Sequence, residues 1–293
     1  MFRSTRLIHG FGIKLVYAFD GKPPKLKEAE IAKRRDIKEK ATKEWREALY
    51  AKDFRKAFSK AVVTGKLTQP MLDDAKHLLE LLGIPYVQAP SEGEAQAAFM
   101  ASKGDVWACA SRDYDSILFG APRLLRFLTI SGVEFLPSKG TTRPIKPELI
   151  DSQDSLQEIG LSREQLVDLA ILIGTDFNKG VRGIGPKKAL KLVRQYGSLN
   201  NVPSAIKSEL PSNFEEIRSF FLSPPVAKEY SLAYSRLREE ELYHFLVNER
   251  NFAKERVSKV VERIKKSYTK VSQADLTAWV GSKNASFLSK LNG

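Results

Sequence analysis

Six carboxylates in four short clusters constrain this chain more than any other feature: Asp20 in YAFDGKPP, Glu92 and Glu94 in APSEGEA, Asp113 and Asp115 in SRDYD, and Asp176 in GTDF. Three of the clusters follow apolar runs: Lys14–Phe19 (KLVYAF), Val106–Ala110 (VWACA) and Leu169–Ile173 (LAILI). A carboxylate at the end of a buried strand or helix is poorly solvated and repels its neighbours unless a cation neutralises it. Six that converge therefore call for metal, and oxygen-only donors favour a hard cation, Mg²⁺ or Mn²⁺, over zinc. Three histidines and one cysteine exclude a Cys/His zinc site. Each cluster alone has an ordinary reading. Asp20 suits a turn before Gly-Lys-Pro-Pro, and Asp176 suits a cap. Ser91 and Glu94 have the S-x-x-E spacing of a capping box for a helix starting at Pro90–Ser91, whose dipole Glu92 would favour. Asp113 and Asp115, if extended beyond their strand, project to the same side. It is their joint occurrence at element ends that points to a metal centre.

Between these clusters short strands alternate with helices, which predicts an α/β fold with a mostly parallel sheet. The strands are Lys14–Phe19, Tyr86–Gln88 and Val106–Ala110, and the clearest helices are Gln69–Leu82 and Arg163–Ile173. Segments around Arg123–Leu128 and Gly132–Leu136 read as a hairpin or a sheet edge. Ligands of parallel sheets gather beyond the C-terminal ends of strands, where Asp20 and Asp113 fall. Across Lys22–Lys66 the composition shifts: 15 Lys/Arg stand against 7 Asp/Glu, a net of +8 within a chain of net charge +13. Strong helix formers, i,i+4 opposite charges and few apolar residues predict a projecting basic helical lobe there. Lys27 and Arg34, seven apart, share a helix face suited to gripping a phosphate or steering a single strand. Most other charges of the lobe read as a solvated surface.

The segment GVRGIGPKKALKLVRQYG reads as helix, tight turn, helix. Gly183 and Gly185 let a phosphate approach the backbone, N–H groups at the next helix start point toward it, and Lys187 and Lys188 add charge. Arg182, Lys191 and Arg194 flank the motif. The plainer alternative is a helix C-cap with a tight turn. A basic excess with pI near 9.6 indicates a polyanionic partner. No apolar stretch reaches the roughly 20 residues that span a bilayer. The opening lacks the form of a signal peptide. A lone Cys109 excludes an internal disulfide and suits a reducing cytosol. With paired divalent ions, a phosphodiester backbone on this surface would be cut without a general-base side chain, which fits the scarcity of histidine.

The clusters in this order resemble the flap endonuclease group of the XPG-type structure-specific 5′ nucleases, closest to its archaeal branch. The matches YAFDGKPPKLK, GIPYVQAPSEGEAQAA, SRDYDSILFG and ILIGTDFNKGVRGIGPKKALKLV are long, and the likeness runs from Met1 to about Val280. The resemblance implies a PIN-like twisted sheet flanked by helices, a helical arch, and a helix-hairpin-helix that holds duplex DNA beside a 5′ flap. It implies metal-binding roles for Asp20, Glu92, Glu94, Asp113, Asp115 and Asp176, with two Mg²⁺ ions that Mn²⁺ can replace. It places Lys27 and Arg34 at the scissile phosphate, and backbone carbonyls of Gly180, Val181 and Ile184 at a K⁺ site. The chain then divides into an N-terminal nuclease remnant (1–21), arch (22–66), internal nuclease region (67–177), hairpin and C-terminal helices (178–266) and tail (267–293). In that tail Gln273, Leu276, Trp279 and Val280 resemble a PCNA-interacting motif, with Val280 in place of the second aromatic. Family members open with a buried strand carrying a further aspartate, and Met1 aligns within the helix after it. The chain is then either an N-terminally truncated gene model or a shortened protein, and in the second case the expectation is a weakened core and impaired cleavage. Two other readings stay open: a DNA- and clamp-binding protein without catalysis, and another XPG-type enzyme such as a 5′ exonuclease or junction resolvase. Location follows the lineage, cytoplasmic if archaeal and nuclear if eukaryotic.

Overall fold

Strand β1 (Tyr17–Phe19) leads straight to Asp20, and the two prolines that follow end its pairing and turn the chain through a 3₁₀ turn at Lys25–Lys27. The computed structural model describes residues 12–65, 67–128, 132–136 and 140–268. Helix α1 (Glu28–Tyr50) buries only Ala41 and Ala48 along its 23 residues. Helix α2 (Phe54–Thr64), capped by Asp53 accepting from the Lys56 N–H at 3.0 Å, packs against α1 with Ala57. This pair forms the projecting lobe; its seam of small residues brings the two helices close. Helix α3 (Gln69–Leu81) starts on Pro70 and buries Leu78, Leu79 and Leu81. Strand β2 (Tyr86–Gln88) then runs parallel to β1, with Phe19 opposite Gln88.

Helix α4 (Gly93–Ser102) does not begin with the expected capping box. Glu92 occupies the cap position without a side-chain bond, and the Ser91 hydroxyl is buried with no partner. Asp20 does the capping from another element: its Oδ1 accepts the Gly93 N–H at 2.6 Å. Strand β3 is confined to Cys109–Ser111, and Asp115 opens helix α5 (Asp115–Leu118). Asp113 and Asp115 are thus not two steps of an extended strand, as the D-x-D spacing suggested. Strand β4 (Arg123–Arg126) lies parallel to β3, and its other edge is taken by the antiparallel β7 (Glu148–Asp151). With both edges of β4 occupied, β5 (Val133–Leu136) pairs instead with β6 (Thr141–Pro144), so of the two readings, hairpin or sheet edge, a hairpin of β4 with β5 does not form. Parallel pairing therefore lies beside the carboxylates and antiparallel pairing lies outside it.

Helix α6 (Ser152–Ile159) is capped by Asp151, and α7 (Arg163–Ile173) by a full capping box of Ser162 and Gln165. Beyond it come α8 (Pro186–Tyr196), α9 (Ser204–Lys207), α10 (Phe214–Leu222), α11 (Glu239–Tyr243) and α12 (Lys254–Tyr268). One core joins α4, β3, β4 and α7 through α10; a second joins Phe19, α3, α11 and α12. Helix α4 touches both β1 and β3. The two strands belong to separate sheets, and a cavity of about 490 Å³ lies between them. Within the first core, the buried Asp168 accepts the Leu199 N–H at 3.2 Å and lies 2.8 Å from Arg218 Nε, without the alignment of a hydrogen bond. No helix among the described residues is long and apolar enough to cross a membrane.

Candidate active site

Asp20 follows β1, Glu92 and Glu94 stand at the start of α4, Asp113 and Asp115 at the β3–α5 turn, and Asp176 in the loop after α7. Asp115 feels the charges of Asp176, Asp113 and Glu92, Glu94 those of Asp115 and Asp113, and Asp20 accepts the Gly93 N–H beside them. Lys27 bridges two of them: its Nζ lies 2.8 Å from Glu92 Oε2 and 3.3 Å from Asp176 Oδ2. Arg34, two turns along α1, places Nη2 2.8 Å from the same Asp176 oxygen. Burial works to lower the Lys27 pKa, but Glu92 and Asp176 outweigh it and hold it above the ordinary lysine value. The same contest, with Glu30 and Asp176 as partners, raises Arg34.

Two carboxyls lie deeper. Glu94 is pushed up to about 7, first by burial, against the lowering bond from the Ser111 hydroxyl, then by Asp115 and Asp113. Asp115 is raised to about 6, again by burial first and then by Asp176 and Asp113. One oxygen of Glu94, Oε2, is buried with no hydrogen-bond partner. Asp20 and Glu94 are among the residues that line the cavity between β1 and β3. In this arrangement no three His, Cys, Asp or Glu side chains among the described residues stand in position to share one ion, and Lys27 and Arg34 supply the positive charge. The donor set nevertheless suits a hard divalent cation: it is all oxygen, crowded, and includes an orphaned buried carboxylate oxygen.

Three supporting residues escape a reading of motifs. Glu30 holds Arg34 Nε at 3.0 Å and lies 3.3 Å from Lys33 Nζ. Its i,i+4 spacing from Arg34 is the one signal the sequence carried. Ser111 holds Glu94, and Gln88 donates to the Asp20 carbonyl at 2.8 Å. Both act across chain distances that spacing does not reveal.

The glycine segment forms the expected turn between α7 and α8. Thr175 and Asn178 exchange backbone bonds at 2.9 and 3.2 Å, and the Val181 N–H returns to Leu172 O at 2.8 Å. Arg182, Lys187 and Lys188 are exposed, and a Cβ on Gly183 or Gly185 would meet nothing within 4 Å, so this face is open to a partner's backbone. Lys188 donates to the Gly183 carbonyl at 3.0 Å and so braces the turn. Arg194 is a different case. Its guanidinium caps α6 by donating to Ile159 O at 3.2 Å through Nε, a structural bond rather than the phosphate contact its position suggested. Gln273, Leu276, Trp279 and Val280 lie outside the described residues.

The XPG I-region family matches residues 83–176, and the XPG N-terminal domain family matches residues 1–41. The Flap endonuclease 1 of Staphylothermus marinus is 51% identical over 95% of this chain and 81% of its own. Among solved structures, the flap endonuclease-1 from Methanococcus jannaschii superposes with a TM-score of 0.66 at 40% identity, over 92% of this chain and 80% of that one. The catalytic core of Rad2 in complex with DNA substrate has a TM-score of 0.65 at 21% identity, over 89% and 82%, a likeness of fold alone.

Proposed function

This chain belongs to the flap endonuclease family of XPG-type nucleases, and on that premise we propose that it is a structure-specific 5′ flap endonuclease. It hydrolyses a phosphodiester bond near the junction where a 5′ single strand leaves duplex DNA. The observation that carries the reading is that Lys27 and Arg34, from the basic lobe, reach Glu92 and Asp176 in the carboxylate cluster. Two cations held at a cluster of acids are placed to bind a scissile phosphate as it enters, exchanging carboxylate partners for phosphate oxygens. Asp20, Glu92, Glu94, Asp113, Asp115 and Asp176 would hold Mg²⁺ or Mn²⁺, which supplies an activated water and charge neutralisation at the leaving oxygen. The open face of Gly183 and Gly185, with Arg182, Lys187 and Lys188, binds the duplex through its phosphates and reads no bases. The carbonyls of Gly180, Val181 and Ile184, at the same turn, would hold K⁺. That the Rad2 core, of the same fold, is seen with DNA substrate supports the DNA assignment.

Finer parts of the proposal are a 5′-3′ exonuclease activity on the same site and service in DNA replication and repair. Docking of the tail on the sliding clamp PCNA through Gln273, Leu276, Trp279 and Val280 belongs with them. The decisive experiment uses 5′-labelled double-flap DNA with Mg²⁺ and with EDTA, comparing the chain with Asp176→Asn. A discrete product only with Mg²⁺ is expected, and the variant should lose cleavage by on the order of a hundredfold or more while still binding DNA. Equal loss of binding and cleavage would make Asp176 a structural residue and overturn its assignment.

A further inference from the structure

Residues 112–114 join β3 to α5, so the places of Asp113 and Asp115 depend on what holds that turn. Asp113 and Asp176 both repel Asp115, and an unbraced turn would relax by moving these carboxylates apart. From its own strand the turn gets one bond, the Asp113 N–H donating to the Ser111 hydroxyl at 3.2 Å. The stronger hold comes from β4. Arg126, its last residue, stands opposite Ser111 in the parallel register and grips the turn on either side of Asp113. Its Nε donates to the Arg112 carbonyl at 3.0 Å and its Nη1 to the Tyr114 hydroxyl at 2.6 Å. The guanidinium also lies over the Tyr114 ring, its carbon 4.1 Å from the centroid. A planar guanidinium presents donors in fixed directions and a flat face, so it holds a carbonyl, a hydroxyl and a ring together, which an ammonium does not.

The surroundings of Arg126 fix it in this role. Its side chain is 13% exposed, so it does not swing freely in solvent. Glu148, its antiparallel partner on β7, lies 3.3 Å from Nη1 and balances the charge, which leaves Nε and the flat face to the turn. The next residue, Phe127, has φ +56°, in the left-handed region that a bulky side chain rarely enters. Backbone persists there only when its surroundings over-determine it, and such outliers gather at functional sites. The Phe127 ring centroid lies 4.4 Å from the Arg126 guanidinium carbon, so two aromatic rings confine the one cation. The strained residue thus directly follows the arginine that holds the carboxylate turn.

Resting on the metal-centre reading of the carboxylates, we propose that Arg126 is a positioning residue. By clamping Arg112 and Tyr114 it holds Asp113 and Asp115 in place for a divalent cation. The test measures Mn²⁺ uptake by the full chain without DNA, from the electron paramagnetic resonance signal of the free ion, for the unaltered protein, Arg126→Lys and Tyr114→Phe. Arg126→Lys keeps the charge beside Glu148 but does not span both acceptors, and Tyr114→Phe removes one acceptor while keeping the ring. Residues that orient metal ligands are worth about 10- to 100-fold in metal affinity. Mn²⁺ binding is therefore expected to weaken about tenfold in Arg126→Lys and several-fold in Tyr114→Phe. Both variants should keep, in EDTA, the affinity of the unaltered chain for flapped DNA. Unchanged Mn²⁺ affinity in Arg126→Lys, with or without a lowered melting temperature, makes Arg126 a stabilising residue of the sheet and overturns the proposal. An equal loss of DNA affinity in EDTA shows general unfolding and overturns it as well. Should Arg126→Lys not fold, Tyr114→Phe decides by the same two criteria. If the unaltered chain takes up no Mn²⁺, the metal-centre reading fails and the clamp fails with it; if it does and the variants match it, the clamp alone fails.

Discussion

Arg34 is held by two carboxylates with different work. Asp176 belongs to the cluster, whereas Glu30 lies on the same helix and fixes the guanidinium that faces it. Glu30→Gln should therefore lower kcat by about tenfold with little change in KM, because a misaimed cation costs more in the transition state than in binding. The check is a double-mutant cycle: in an Arg34→Ala background the Glu30 change should have no further effect, and additive losses would deny the positioning role. Cys109 gives a second prediction at this scale. It lines the cavity between β1 and β3, and burial first, then the charge of Glu94, pushes its thiol up to about 12. Alkylation by iodoacetamide near neutral pH should run on the order of a thousandfold slower in the folded chain than in denaturant. Fast alkylation of the folded chain would show that the cavity admits solvent freely. Single residues were legible as to place, as with Asp20 just after β1 and Asp176 in the loop after α7. They were illegible where a partner arrives from afar. Ser91 and Glu94 have the spacing of a capping box, but Asp20 takes the Gly93 N–H and Ser111 takes Glu94.

At the scale of elements, helices with strong punctuation stood where the sequence placed them. Arg163–Ile173 has its Ser162/Gln165 box, and the helix from Gln69 has Pro70 near its start. Strands were harder to read because they are three or four residues long, too short for a period of two to show, and their partners are set by the tertiary fold. The pairing of β4 with β7 rather than β5 is of that kind. The turn between α7 and α8 contains glycines that look alike in sequence and differ in role. Gly180 has φ +70°, and a Cβ there would lie 2.2 Å from Ile173 O, inside the backbone of the preceding helix end. Gly185 has extended φ and open space around it. Gly180→Ala should cost about 3 kcal/mol and take duplex binding down with the fold. Gly185→Ala should cost about 1 kcal/mol or less, the loss of a favoured cap, yet weaken duplex binding several-fold. Thermal denaturation and duplex affinity measured side by side decide this. If the two substitutions act alike, the open face is not the duplex contact.

Across the whole molecule, the basic excess is divided between two surfaces. The segment Lys22–Lys66 carries +8 of the net +13, and Arg182, Lys187, Lys188 and Lys191 stand on the hairpin side. Counterion release makes the salt dependence of binding a count of phosphates neutralised, with log K falling by about 0.9 per contact against log salt on duplex DNA and about 0.7 on a single strand. The two surfaces should then separate by substrate. Replacing Lys38, Lys43 and Arg46 with serine should flatten the salt slope for flapped DNA by about two, and leave the slope for the same duplex without a flap unchanged. Replacing Lys187 and Lys191 should flatten both slopes alike, because both DNAs retain the duplex. Lys188 is left out of that set, since its bond to the Gly183 carbonyl makes it part of the turn. Affinities of both variants on both DNAs across a salt series give four slopes. If the lobe variant lowers the slope on unflapped duplex as much as on flapped DNA, the lobe is a general basic surface and the assignment of the flap to it fails. If the slopes divide as expected, recognition of the junction is a matter of geometry: one surface for the duplex, one for the strand that leaves it, and the carboxylates where the two meet.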